Sequence, residues 1–336
     1  MTALTVPGRP AEDASPRPVP WRRMAWVTWR QHRAALAGVA ALLGGWAVYL
    51  WLAGSAAYHA YAAAVACHPA SSLVCVNLIG NFNDTYSPTA VAVTAMLQAV
   101  PGLIGAFVGA PVLAREMETG TFRYAWTQGF GRWRWALGKL VLLAVAVTAA
   151  AGAFSVLFSW YFQPFLAEGQ QNPIAPLVFD LRGVAFAAWT LAAFAIGALA
   201  GMLIRRVVPA IAATLAVYAG LALAAGLYLR EHYMTPLVTS NLNLPGSAWI
   251  VSQWYTEGGK FAFPARGSQL VNALSQLCPG TPDVSQCLSR HGYTLRTSYQ
   301  PGSRFWPFQW IEGGWLLALS VLLIAATVWL VRRRAA

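Results

Sequence analysis

The chain has 336 residues, 57% of them hydrophobic and 10% charged, with a formal net charge of +12. Soluble domains carry about 25% charged residues, so these proportions exclude an ordinary soluble protein, a disordered chain, a collagen and a coiled coil. Six uncharged apolar runs of about 18–24 residues, each long enough to cross a bilayer as a helix, predict an all-α integral membrane protein with six transmembrane helices, at 34–54, 90–113, 140–163, 183–204, 208–229 and 314–331.

In chain order, residues 1–20 are rich in Pro, Arg and Ala without periodicity and read as a disordered leader. From 21 to 33, Trp21, Met24, Ala25, Thr28 and Trp29 share one helical face and Arg22, Arg23, Arg30 and Arg33 the other, with Trp26 out of place among the arginines. This predicts an interfacial elbow helix, or else a short basic anchor before the first span. A cleavable signal peptide is disfavoured, because the apolar run that follows is far longer than an h-region. Pro101 predicts a kink at mid-depth in the second span. Gly105-x-x-x-Gly109 there and Gly197-x-x-x-Gly201 in the fourth span allow close backbone approach, within the chain or across a dimer interface. Spans four and five, joined only by Arg205, Arg206 and Val207, must form a tight hairpin. Residues 230–313 mix aromatics with Gly, Pro and polar residues and read as a sizeable outer loop or cap between helices 5 and 6. It ends in a belt of Trp306, Phe308, Trp310 and Trp315. Helix 6 and a basic tail complete the chain over 314–336.

Charge fixes the expected orientation. Segments 1–33, 114–139, 205–206 and 332–336 hold 16 of the 23 Lys and Arg against 4 of the 11 acids, while the remainder is balanced at 7 and 7. By the positive-inside rule both termini and the 114–139 loop are cytoplasmic, and the cations meet anionic lipid headgroups, with no nucleic acid implied. Cys67 and Cys75 then fall in the first outer loop, 55–89, and Cys278 and Cys287 in the large one. Four cysteines on the oxidising side read as two disulfides, most simply Cys67–Cys75 and Cys278–Cys287, although three pairings are open. Four free thiols are the alternative. With no CxxC or regular Cys/His spacing, no metal site is expected.

The chemistry that is missing narrows the function. The predicted spans carry no Asp, Glu, His or Lys, which argues against an ion-coupled transporter. Gln98 and Gln163 read as helix glue. The nearest approach to a phosphate-binding loop, Gly131 to Leu140, has six residues between its glycines and Leu140 where Ser or Thr would hold Mg²⁺. No catalytic motif occurs, and His32, His59, His68, His232 and His291 are scattered. The expectation is a chain that is not an enzyme and carries no cofactor.

One segment is informative. The loop reads Ala114-Arg115-Glu116-Met117-Glu118-Thr119-Gly120-Thr121-Phe122-Arg123-Tyr124-Ala125-Trp126, then Arg132-Trp133-Arg134-Trp135-Ala136-Leu137-Gly138-Lys139-Leu140. Arg115, Glu116 and Glu118 end a helix that protrudes from the membrane, Gly120 permits a sharp turn, and Thr121 is suited to cap a short helix with Phe122 and Trp126 on one face. Such a helix suits docking into a partner's groove; a plain basic connector is the other reading. The pattern Arg-Glu-x-Glu-x-Gly-Thr, then Arg, five residues and Gly-Lys-Leu, resembles the loop between the second and third spans of ABC type 2 permeases, the membrane subunits of ATP-binding cassette exporters. That family has six spans, both ends inside, an elbow helix and a larger outer loop before the last span. The resemblance implies that Glu116, Glu118, Gly120, Thr121, Phe122 and Trp126 belong to the coupling helix that touches a separate ATPase subunit. It also implies a second permease copy as partner and residence in the cell membrane as a multi-pass protein. Trp126-Thr127-Gln128-Gly129-Phe130 departs from the Leu-rich stretch of many members. The apolar spans point to an amphipathic exported substrate: drug, peptide antibiotic or lipid. A membrane scaffold or sensor whose outer loop binds a ligand is the alternative.

Overall fold

The computed structural model describes residues 21–69, 71–120, 132–167, 169, 171–241, 243–279 and 283–334. Six of its helices are long and apolar enough to cross a membrane, as the hydropathy pattern requires. Their boundaries differ from the apolar runs in an instructive way.

Helix α1 runs without interruption over Trp21–Val65, 45 residues, or about 67 Å at 1.5 Å per residue, roughly twice the hydrocarbon thickness. Residues 21–33, where the interfacial helix is expected, are continuous with the first span: from Trp29 to Gly45 no proline and no Ser, Thr, Asp or Asn cap punctuates the helix. Helix α2, Leu73–Leu97, begins well ahead of the expected second span, with the Ser72 hydroxyl accepting the Cys75 N–H at 3.2 Å as its cap. The loop expected over 55–89 therefore contracts to the few residues between Val65 and Leu73. Its polar residues, Asn77, Asn81, Asn83 and Asp84, instead ride on a helix.

The expected break at Pro101 lies slightly upstream. The proline ring deprives the Leu97 carbonyl of its helical donor, and α2 ends at Leu97. The chain restarts as α3, Val100–Ile104, widens into a π-helical turn over Gly105–Gly109, and continues as α4, Ala110–Thr119. Helix α5, Arg132–Tyr161, is followed by two short helices, α6, Gln163–Ala167, and α7, Pro176–Phe179. Helices α8, Ala185–Ile204, and α9, Val207–Ala224, form the expected hairpin, with Arg205 taking a left-handed φ of 60° in the two-residue link.

Helix α8 is the hub. It packs against α3, the π turn, α4, α5, α9 and the final helix α12, Phe305–Arg334. The two small-residue motifs meet each other inside the chain: a Cβ on Gly105 would strike the Ala193 backbone, one on Gly109 the Phe194 backbone, and those on Gly197 and Gly201 the backbones of Gly105 and Ala110. Outward faces of α1, α9 and α12 present Val48, Leu52, Val208, Leu223, Leu227, Val321 and Leu322, as a lipid-facing surface does. The segment between α9 and α12 adds what hydropathy could not specify, a four-stranded antiparallel sheet in the order β1-β4-β2-β3, with β1 Leu237–Thr239, β2 Trp249–Glu257, β3 Lys260–Pro264 and β4 Tyr293–Gln300. Helices α10, Ser268–Leu277, and α11, Val284–Arg290, cover it through Leu274 and Leu288 against Tyr255, Phe263 and Leu295.

Because backbone stands where a side chain would have to go, Gly197→Leu is expected to destabilise the bundle by about 3 kcal/mol, the upper end of the range for overpacking. Gly44→Leu on α1, where no atom lies within 4 Å of the added Cβ, is expected to be neutral. Heat-challenge size-exclusion profiles of the two purified variants make the comparison.

Candidate functional site

The first candidate site is the end of the bundle where α4 hands over to α5. Helix α4 stops at Thr119 because Gly120 adopts a left-handed φ of 69°. One turn earlier, Glu116 forms an ion pair through Oε1 with Lys139 of α5, whose side chain is 2% exposed and lies 4.8 Å from the centre of the Trp135 ring. Glu118 turns the other way: its Oε2 accepts the Val207 N–H at 3.1 Å. Val207 opens α9, and its own N-cap, Arg206, supplies no side-chain acceptor, so an acid from α4 both satisfies an orphan donor and complements the positive helix end. The two carboxylates thus tie α4 to α5 and α9. Of the six residues assigned to the coupling helix, Glu116, Glu118 and Gly120 are brought together here as the frame of the loop. Thr121, Phe122 and Trp126 lie outside the described residues.

The opposite end holds a second constellation that the apolar runs concealed. Arg230, beyond the π-helical end of α9, is fully buried and ion-paired to two carboxylates, Asp180 after α7 and Glu312 on α12. Its Nη2 reaches both, and its Nε donates to Glu312 Oε2 at 3.1 Å. Glu312, also fully buried, further accepts the Trp189 indole N–H at 2.8 Å and the Tyr233 hydroxyl at 3.1 Å; that hydroxyl in turn accepts the Trp315 indole N–H at 2.9 Å. The guanidinium carbon sits 4.3 Å from the Phe179 ring centre. Gln309 completes the seam by accepting from Ala185 N–H and donating to the Phe179 carbonyl. Burial and the neighbouring Glu312 carboxylate push Asp180 above the ordinary carboxylate range, against the opposing pull of Arg230. Two acids facing one guanidinium leave an excess negative charge in a dry site, and a proton on Asp180 removes it.

The sequence pattern concealed these groups because hydropathy windows stop at the first charge. The helices do not: Glu312 lies within α12, and Glu116 and Lys139 lie within the candidate spans. Gln98 is glue as expected, donating to the Leu177 carbonyl at 2.6 Å where the second span breaks, while the Tyr218 hydroxyl donates to the Gln98 carbonyl at 2.7 Å.

The cysteines fall into the simplest pairing at disulfide distance, Cys67 with Cys75 (Cα–Cα 5.5 Å) and Cys278 with Cys287 (6.1 Å). The first staples α1 to α2 across their short turn, the second α10 to α11. His291 Nδ1 lies 3.9 Å from the Cys287 sulfur, and Cys278, Cys287 and His291 form the one cluster with metal-ligand spacing among the described residues. Sulfurs joined to each other offer no thiolate to an ion.

A family model described as ABC-2 membrane transporter related matches residues 37–230, from within α1 to Arg230. No curated protein and no solved structure matches the chain.

If Asp180 holds its proton in the folded state, stability is fully present below the ordinary carboxylate range and is lost as pH rises through its raised value. The melting temperature of wild type should therefore fall from mildly acidic to mildly alkaline buffer, and Asp180→Asn should flatten that slope at little cost. Glu312→Gln strands Arg230 and is expected to cost about 3–5 kcal/mol, as breaking a buried pair does. Thermal melts across pH for the three proteins check both statements.

Proposed function

The chain belongs to the ABC-2 membrane transporter related family, and from that premise we propose that it is the permease subunit of an ATP-binding cassette exporter in the cell membrane. In this reading ATP is hydrolysed by a separate partner subunit, a second permease copy completes the assembly, and the exported molecule is amphipathic.

The observation that carries this reading is the way the α4–α5 connection is braced. A permease without a nucleotide site of its own must receive force through a small cytoplasmic contact. Residues 121–131 connect α4 to α5 in sequence, and these two helices are tied together by Glu116–Lys139 while Glu118 ties α4 to the first N–H of α9. Load applied to Phe122 and Trp126 by an ATPase groove would pass through that brace into α4 and α9 together. Glu116 and Glu118 then serve as positioning residues, and the aromatic pair makes the contact. The excess of basic residues in 1–33, 114–139, 205–206 and 332–336 supports placing this end in the cytoplasm, with the disulfides and the sheet outside. An ATP-driven closing of the partner subunits would shift the permease between two access states by its differential contact with each.

Truncating buried aromatic anchors at an interface costs about 2 kcal/mol or more, roughly thirtyfold in affinity. Phe122→Ala combined with Trp126→Ala should therefore reduce co-purification of the ATPase and abolish coupled efflux at unchanged membrane level, since neither residue belongs to an apolar run of the sequence. Normal ATPase recovery and efflux in that double variant would remove the loop from the coupling role and favour a scaffold or sensor whose outer sheet binds a ligand. Cysteine probes at 125 and 283 should label from opposite sides of the membrane, 125 from the cytoplasm.

A further inference from the structure

Where a membrane-spanning helix leaves the hydrocarbon, its outward face changes partners from acyl chains to headgroups. At the end of the bundle where α1 and α5 begin and α12 finishes, one device recurs three times. The Arg30 guanidinium carbon lies 5.3 Å from the centre of the Trp26 ring on α1, that of Arg134 5.4 Å from Trp133 on α5, and that of Arg333 4.4 Å from Trp329 on α12. All three distances are within cation–π reach. Among the described residues, every arginine that stacks on a tryptophan belongs to this set.

The three helices are neighbours, because α5 packs against both α1 and α12. The pairs are also matched in depth. Lys139 of α5 is near enough to act electrostatically on His32 of α1, which puts residues 32 and 139 near one level. Trp26 and Trp133 each precede that level by six residues, about 9 Å along a helix. On α12, Val331 is buried in the same apolar cluster as Ala136 of α5, two residues from Trp329.

All six side chains are exposed, the three indoles by 39% to 59%. None of the three guanidiniums meets a carboxylate among the described residues. A guanidinium resting on an indole keeps N–H donors on its edge in the fork that a phosphate accepts. Farther along the same helices the outward surface is uncharged, with Val141 and Val145 on α5 and Val321 and Leu322 on α12. A soluble anion would leave that surface and the indoles uncovered. A zwitterionic headgroup would bring its own cation to three uncompensated ones.

We propose that the three Trp–Arg pairs form a binding site for anionic phospholipid along α5, the phosphates held by Arg30, Arg134 and Arg333 and the acyl chains lying on the outward faces of α5 and α12. The basic excess attracts an anionic surface anywhere at this end; the pairs specify where a headgroup is held. A headgroup shared by two pairs ties the start of α1 to α5. The proposal needs helices that span a bilayer and does not rest on the permease reading.

The test uses the purified full chain in detergent without any ATPase, so its outcome is independent of the coupling experiment. Native mass spectrometry counts bound lipid as phosphatidylglycerol or phosphatidylcholine with the same acyl chains is added. Phosphatidylglycerol is expected to bind about tenfold or more tightly. Each arginine near an anionic surface is worth about fivefold in affinity. Arg30→Gln with Arg134→Gln and Arg333→Gln should therefore erase the preference, at an unchanged melting temperature in lipid-free detergent. Lys260→Gln with Arg266→Gln and Arg290→Gln removes the same charge from the segment between α9 and α12 and should leave the preference intact. Glycerol 3-phosphate, which carries the phosphate without acyl chains, should not displace the lipid. Equal loss of preference in the two triple variants would reduce the effect to net charge, and displacement by glycerol 3-phosphate would make the site one for a soluble anion. Either result, or equal binding of the two lipids by wild type, would overturn the proposal.

Discussion

Backbone rests on backbone where the π turn at Gly105–Gly109 meets Gly197 and Gly201 of α8. No apolar driving force favours helix association inside a bilayer, where the surrounding tails are as apolar as leucine, so close van der Waals contact must supply it. The approach is possible only because four glycines bring no Cβ, and it sets the position of everything else. Helix α8 has α4 and the π turn on one side, and α5, α9 and α12 packed around it. The π turn itself follows from the same contact. Widening the helix at 105–109 lets the chain that restarted at Val100 present both glycines to α8 before it resumes α-helical geometry at Ala110.

The polar bonds occupy the two ends of this apolar interlock. At one, Glu116 and Glu118 bind α4 to α5 and to the first N–H of α9. At the other, Arg230 joins the end of α9 to Asp180 and to α12. Helix α9 is therefore held at both tips by charge, while its middle is largely exposed, with Val208, Val217 and Leu223 outward. Such a helix is registered without being buried. Removing Glu116 would strand Lys139, and removing Glu312 would strand Arg230, each as an uncompensated buried charge.

What the sequence made legible was local. The Gly-x-x-x-Gly spacing, the two-residue link at Arg205–Arg206, the Gly120 stop and the eight- and nine-residue cysteine separations are all short-range patterns whose geometry allows few solutions. The charged clusters were not legible, since their members are 23, 50 and 82 positions apart and each acid or base alone reads as the end of an apolar run. Helix ends were misjudged for the same reason: Asn81 and Asp84 look like loop residues, yet α2 carries them past the apolar stretch. The sheet between α9 and α12 was recognisable only as a folded segment, because its strands alternate aromatic and polar residues amid glycines and pair over some forty positions.

Bracing at the ends and interlocking in the middle leave α1 as the least restrained element. Its outward face is exposed along much of its length, and it meets the rest of the bundle chiefly through α5 and α2, to which the Cys67–Cys75 bridge fixes its far end. Near its start, His32 lines an open cavity of about 880 Å³ to which α4 contributes Pro111, Arg115 and Glu116. A cavity therefore forms where a long, loosely held helix passes a rigidly held one. The same ion pair that fixes α4 uses one carboxylate oxygen of Glu116 and leaves the other buried without a hydrogen-bond partner among the described residues. Like the Arg230 cluster at the other end, this is a buried charge network, and it fixes α4 at the point where the less restrained α1 passes it.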